Sequence, residues 1–157
     1  MRGEVGDRLR ELGYELPSVP NPAGSYVSAT SAGSLLFTAG QLPLEDGQLR
    51  YTGKVGKDVS VEEAKEASRL CTLNALAAVE AEAGSLENVR RVVKVTGYVA
   101  SAAGFNRQPE VINGASNFLG EVFGERGTHA RSAVGVAELP LDAPVEVELI
   151  VELTLSS

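Results

Sequence analysis

The sequence predicts an α/β domain of two layers: one mixed β-sheet with two helices packed on one face. Three observations predict it. Residues 60–83 and 109–123 carry helix signals, with apolar or small residues returning every three to four positions. Residues 26–31, 35–39, 89–99, 131–139 and 145–155 are rich in β-branched and small apolar residues. In chain order these segments run β-β-α-β-α-β-β, and elements with one apolar face each must stack that face on another layer.

The elements follow from local chemistry. Residues 4–12 form a short amphipathic helix with Val5, Leu9 and Leu12 on one side, and Gly13 sits where a helix commonly stops. Pro17, Pro20 and Pro22 each lack a donor and restrict their predecessors, so 17–22 is an extended arm and 1–22 an N-terminal extension. Residues 26–31 and 35–39 flank Ala32-Gly33-Ser34 and suggest a hairpin. Asp46, Gly47, Gly53 and Gly56 punctuate 44–59, which reads as a long loop with a short strand at 49–51. Ser60 and Glu63 make a capping box, and the helix they open runs to Ala83 before Gly84. Its Ala64, Ala67, Cys71, Ala75 and Ala78 form a stripe suited to lying flat on a sheet. Residues 89–99 give the third strong strand.

Pro109 fits the first turn of the second helix, whose Val111, Ile112, Ala115, Phe118, Leu119, Val122 and Phe123 keep a 3.6-residue period up to Gly124. In the closing strand Val145, Val147, Leu149, Val151 and Leu153 alternate with Glu146, Glu148, Ile150 and Glu152, giving one apolar and one mostly acidic face. Strands 35–39 and 91–95 are apolar on both sides, which favours burial of both faces and argues for an oligomer.

Composition narrows the function classes. The 157 residues fit one domain, 1–157. With 43% hydrophobic and 22% charged residues the chain is not generally disordered. Lys+Arg of 14 against Asp+Glu of 21 gives a net charge of −7, which disfavours nucleic-acid partners. One cysteine and one histidine exclude a multi-ligand zinc or iron–sulfur site, so no metal site is expected. No Gly-x-x-x-x-Gly-Lys-Ser/Thr occurs, so no P-loop follows. The N-terminus has no apolar signal-peptide core and no run is long enough to span a bilayer, so a cytoplasmic protein with no membrane partner is expected.

A few residues can carry chemistry. Arg131 opens an otherwise small and apolar strand, and its planar fork suits the carboxylate of an anionic substrate; a solvated strand end or an intersubunit ion pair is the plainer use. Glu146 can hold a water as general acid or base, or be one of several glutamates, with Glu138, Glu148 and Glu152, on a solvated face. A hairpin between 131–138 and 145–153 would keep Arg131 at the far end from Glu146, so the two would meet only across a subunit boundary. Gly40 ends a strand and can offer its backbone N–H to an oxyanion or simply make a turn. Gly114 suggests close helix packing, and Asn113 and Tyr26 can reach a pocket or serve their own elements. Cys71 lies on the apolar helix stripe as an inert thiol, and His129 in a loop, so a Cys/His dyad is rejected.

Several fragments, taken together, resemble the RidA/YjgF family of imine/enamine deaminases. They are Gly24-Ser25-Tyr26-Val27, Phe37-Thr38-Ala39-Gly40-Gln41-Leu42-Pro43, Gly97-Tyr98-Val99, Val111-Ile112-Asn113, and above all Ala130-Arg131-Ser132-x-Val134-x-Val136-x-x-Leu139-Pro140 with Val145-Glu146-Val147-Glu148. The resemblance implies a chorismate-mutase-like fold, a homotrimer around a barrel-like core, and ligand clefts between subunits. It implies hydrolysis of 2-imino acids, such as 2-iminobutanoate or 2-iminopropanoate, to 2-keto acids and ammonia, without cofactor. Arg131 then matches the clamp for the substrate carboxylate, Glu146 the residue that positions water, Gly40 a backbone contact, and Tyr26, Asn113 and Ala133 cleft-lining positions. The chain departs from the family at Ala133, where a cysteine is usual, and at Ala39, where a serine is usual. It also departs in the length of 44–59, a segment able to cover the cleft, and in its N-terminal arm. The rival implications are a non-catalytic protein that binds a keto acid or other small carboxylate in the same cleft, and an RNA-cleaving enzyme, against which the charge of −7 weighs.

Overall fold

The structure, a computed structural model, describes residues 3–155, so the first two and last two residues of the expected 1–157 domain lie outside it. Helix α1 (Glu4–Glu11) buries Val5 and Leu9, the pair that its i, i+4 spacing puts on one side. Its first turn is satisfied from far along the chain: the Glu87 carboxylate accepts from the N–H of Val5 at 2.7 Å. Past the C-cap, Gly13 takes the left-handed φ of 87° that ends the helix. The expected arm is packed down at its start. Tyr14 sets its ring edge-on to Phe118 at 5.3 Å, and Leu16 rests on the core.

Strands β1 (Ala29–Ala32) and β2 (Leu35–Thr38) form the expected hairpin through Gly33, at φ 62°. The first strand begins later than its composition suggests, leaving Tyr26 and Val27 outside the sheet and exposed. Residues 44–59 are partly ordered by a second hairpin, β3 (Leu44–Glu45) with β4 (Gln48–Leu49). Its Asp46 and Gly47 both have positive φ, as a two-residue turn of this hand requires.

Helix α2 (Val61–Ala83) starts at the predicted capping box: Ser60 Oγ accepts from the Glu63 N–H at 3.1 Å, and the Glu63 carboxylate accepts from the Ser60 N–H at 3.0 Å. Its small-residue stripe lies against the sheet, with Ala64, Ala67, Cys71 and Ala75 fully buried. Asn74, buried on the same helix, donates to the carbonyls of Leu42 and Leu44 and ties the entry of the second hairpin to α2.

Strand β5 (Val89–Ala100) leads into helix α3 (Gln108–Phe123), which buries every residue of the predicted apolar stripe. The α2–α3 crossing is close because position 114 is glycine; a Cβ there would meet the Lys65 carbonyl oxygen at 2.1 Å. The helix carries the chain back, so β6 (Ala130–Val136) pairs parallel to β5 as a β-α-β unit. The chain then crosses the end of β5 through Leu141 and Asp142, both left-handed, and returns as β7 (Val145–Leu153), antiparallel to β5.

The main sheet therefore has the order β1-β2-β7-β5-β6. This corrects the expected neighbourhood of the last two strands: β5 lies between them, and the short 140–144 connection spans it rather than making a hairpin. The short helix expected at 4–12 is present as α1 and packs against α3, joining the two expected helices of that layer. Helices α2 and α3 cover the face toward which Val145, Val147, Leu149 and Val151 point, all at most 1% exposed. The other face carries Glu146, Glu148, Ile150 and Glu152 from β7 with Lys94, Thr96 and Tyr98 from β5, and is open in the single chain. Phe37 and Val134 remain 37% and 44% exposed.

Candidate functional site

Two half-sites lie on opposite faces of the sheet. The first surrounds Arg131. In the parallel pairing Arg131 stands opposite Val95, which is fully buried under the helices, so its side chain points to the helical layer. There it meets one face of α3. Arg131 Nη1 donates to Asn113 Oδ1 at 2.8 Å and to Ser116 Oγ at 3.2 Å, and Nη2 donates to the Pro109 carbonyl at 3.2 Å. Positions 109, 113 and 116 are four and three residues apart, which puts them on one helix face. The Nε–H and one Nη2–H of Arg131 have no acceptor among the described residues. Ala133, two residues on, is half-buried, and β6 is an edge strand with an unpaired side.

The second half-site is a groove of about 680 Å³ lined by Tyr26, Val27, Thr30, Phe37, Thr38, Ala39, Gly40 and Glu146. Residues 39–41 are pinned to β7: Gln41 and Val147 exchange N–H···O bonds at 2.8 and 3.0 Å, and the Thr38 hydroxyl accepts from the Leu149 N–H at 3.0 Å. This brings Gly40 directly over Glu146. A Cβ at position 40 would lie 2.7 Å from Glu146 Oε2, so the glycine makes room for the carboxylate. Burial, and then the negative charge of Glu148, push the Glu146 carboxyl above the usual carboxylate range. The Tyr98 hydroxyl donates to Glu148 at 2.8 Å; that bond, with burial, pushes the phenol up to about 12.

Of the expected site residues, the structure gathers Tyr26, Gly40 and Glu146 in the groove, and Arg131, Asn113 and Ala133 at the β6–α3 edge. It does not bring Arg131 and Glu146 together within one chain. Their partners Val95 and Tyr98 are three residues apart on β5, about 10 Å along the strand, and the two side chains leave opposite faces. The β3–β4 hairpin does not line the groove in its own chain; it is fastened to α2 instead. Cys71 is fully buried and its thiol is pushed well up by burial, as befits a packed residue.

Two neighbours of Arg131 are not indicated by the sequence. Ser116 accepts from the guanidinium, and His129 lies 2.9 Å from the Ser116 hydroxyl. The available signal is faint: Asn113 and Ser116 are a polar i, i+3 pair on a helix otherwise read from its apolar stripe. Among the described residues no three of His, Cys, Asp and Glu are grouped to hold a metal ion, and no helix is long and apolar enough to cross a membrane.

The sheet order, the helical layer and these two surfaces define an α/β protein of the chorismate-mutase-like fold. A family model described as "YjgF/chorismate mutase-like, putative endoribonuclease" matches residues 6–153, and the chain belongs to that family. It is 44% identical to Protein TCP17 of Trypanosoma cruzi over 152 residues, 96% of this chain and 95% of that protein. The crystal structure of Atu1372 from Agrobacterium tumefaciens, a protein of unknown function, superposes with a TM-score of 0.89 at 48% identity, covering 97% of this chain and 93% of the other. A 2-iminobutanoate/2-iminopropanoate deaminase of Dermatophagoides farinae is 33% identical over 135 residues, 86% of this chain and 91% of the relative.

Proposed function

We propose that the protein hydrolyses 2-imino acids such as 2-iminobutanoate or 2-iminopropanoate to 2-keto acids and ammonia, in clefts formed between copies of a homotrimer. The observation that carries this reading is the Arg131 guanidinium, held by three acceptors yet with two N–H donors left to offer. A planar carboxylate fits such a fork. Glu146 from a neighbouring copy supplies the second group. Its raised pKa suits a base that takes a proton from water as the oxygen adds to C2 of the imine. The resulting carbinolamine receives that proton on nitrogen; its hydroxyl then gives a proton back to the Glu146 carboxylate as the C2=O bond forms and the C–N bond breaks, releasing ammonia and the keto acid. Because the imine is intrinsically labile, orientation by Arg131 and Glu146 supplies much of the needed acceleration.

The test compares the intact protein with Arg131→Ala on 2-iminobutanoate, reading keto-acid release against buffer. The reading predicts acceleration by the intact protein and its loss in the variant. An intact protein no faster than buffer refutes deamination of this substrate. Ala133 and Ala39 favour the second reading, a carboxylate-binding protein without turnover. Arg131-dependent binding of 2-oxobutanoate with no turnover of a panel of imines would support that reading. An RNA-cleaving role has against it the charge of −7 and the single histidine.

A further inference from the structure

We infer that Ser116 and His129 are positioning residues for Arg131, forming a directed hydrogen-bond chain that fixes the guanidinium where a carboxylate is to bind. The assignment of Arg131 as carboxylate anchor rests on the function proposed above; the chain itself rests on geometry alone.

The direction of each bond follows from what each atom can do. His129 Nδ1 lies 2.6 Å from the Gly127 carbonyl oxygen. A carbonyl oxygen only accepts, so Nδ1 carries the hydrogen. In the neutral ring Nε2 is then bare and accepts. Ser116 Oγ, 2.9 Å away, donates its hydroxyl hydrogen to Nε2. The serine oxygen turns its lone pairs to the other side, where Arg131 Nη1 donates at 3.2 Å. The order is Arg131 to Ser116 to His129 to Gly127, with every donor matched to an acceptor.

The elements at both ends are firm. Gly127 closes the turn Gly124–Gly127 and is buried, and a Cβ there would meet the Leu119 carbonyl oxygen at 2.3 Å. His129 therefore hangs from a fixed carbonyl just before β6. Ser116 stands one turn along α3 from Asn113, the other acceptor of Nη1. Between them they occupy both hydrogens of Nη1, and the Pro109 carbonyl takes one of Nη2. The guanidinium plane is thereby set, and the edge with Nε–H is the one left for a ligand. A serine without its histidine partner is free to rotate and to point its hydrogen at the guanidinium, which would repel Arg131 rather than hold it.

The chain has one histidine, so its ring nitrogens are read without ambiguity in ¹⁵N-labelled protein that lacks a histidine tag. The inference predicts the Nδ1–H tautomer, with a bare Nε2 whose resonance moves in Ser116→Ala. Two substitutions of His129 separate its ends. His129→Gln keeps an acceptor near the place of Nε2, and His129→Asn keeps a donor near the place of Nδ1. The affinity for 2-oxobutanoate should fall about tenfold in Ser116→Ala and His129→Asn, and stay near the intact value in His129→Gln and Ser116→Thr. In imine hydrolysis Ser116→Ala and His129→Asn should raise KM with kcat little changed.

An Nε2–H tautomer, or equal affinities in His129→Gln and His129→Asn, overturns the inference. If the intact protein binds no 2-oxobutanoate, the anchoring role of Arg131 falls and the purpose of the chain with it. An Nδ1–H tautomer alongside that result marks the failure as one of the function, not of the hydrogen bonds.

Discussion

Gly40→Ala isolates the placement of the Glu146 carboxylate. Position 40 is not among the positive-φ glycines, so alanine fits the backbone and no strain enters from that source. The whole effect comes from the new methyl, which would stand 2.7 Å from Glu146 Oε2, 2.8 Å from its Cδ and 3.1 Å from its Cγ. An ordinary contact is about 3.5 Å, so the carboxylate must withdraw by about 0.8 Å. Displacements of about 1 Å in a catalytic group cost up to about 100-fold in rate, so kcat/KM for 2-iminobutanoate should fall about 10- to 100-fold. Stability should change by less than about 1 kcal/mol, because the side chain that must move is half-buried and can turn toward the open face. The assay is steady-state imine hydrolysis beside a denaturant melt of the same preparation. Full activity in Gly40→Ala refutes the argument that the position of Glu146 governs the reaction; lost activity with lost folding refutes the argument that the methyl acts only on the carboxylate.

Other perturbations test separate parts of the structure. Glu146 has a raised pKa when folded, so it contributes stability that is fully present below the unfolded carboxylate range and is lost as pH rises through the folded value. Glu146→Gln should therefore gain in melting temperature relative to the intact protein as pH rises above the ordinary carboxylate range, while losing activity. Glu148→Gln removes the charge that adds to this shift, so the acid limb of the pH–rate profile should move to lower pH. Gly114→Ala drives a methyl against the Lys65 carbonyl and should cost about 2–3 kcal/mol in urea unfolding; a neutral result would contradict the close α2–α3 crossing. Cys71, buried with its thiol pushed up, should resist a thiol reagent in the native protein and react fully in denaturant.

The features legible in the sequence are those decided within a few residues. The Ser60–Glu63 capping box, the Gly33 turn, the alternation of β7 and the stripe of α3 each depend on neighbours at i+2 to i+4, and all appear where their spacing puts them. What escaped depends on distant pairing. Nothing local to 131–139 states that β5 separates it from β7; that follows from α3 returning the chain in parallel. The docking of α1 is another case, since its cap comes from Glu87, 82 residues away. The site divides the same way. Arg131 and Glu146 stand out by family likeness, and Gly40 shows its reason once Glu146 is seen beneath it. The tie between Ser116 and His129 needs the turn at Gly124–Gly127 to aim the ring, and no spacing rule contains that.

The claim that joins these parts is that Arg131 of one copy and Glu146 of another serve one substrate. Mixing chains tests it directly. Arg131→Ala and Glu146→Gln chains, each inactive alone, are unfolded together, refolded as mixed oligomers and assayed on 2-iminobutanoate. Random assembly places an intact Arg131 against an intact Glu146 of the neighbouring chain in about a quarter of the clefts, so about a quarter of the wild-type rate should return. A mixture no more active than either variant alone would contradict a cleft shared between chains.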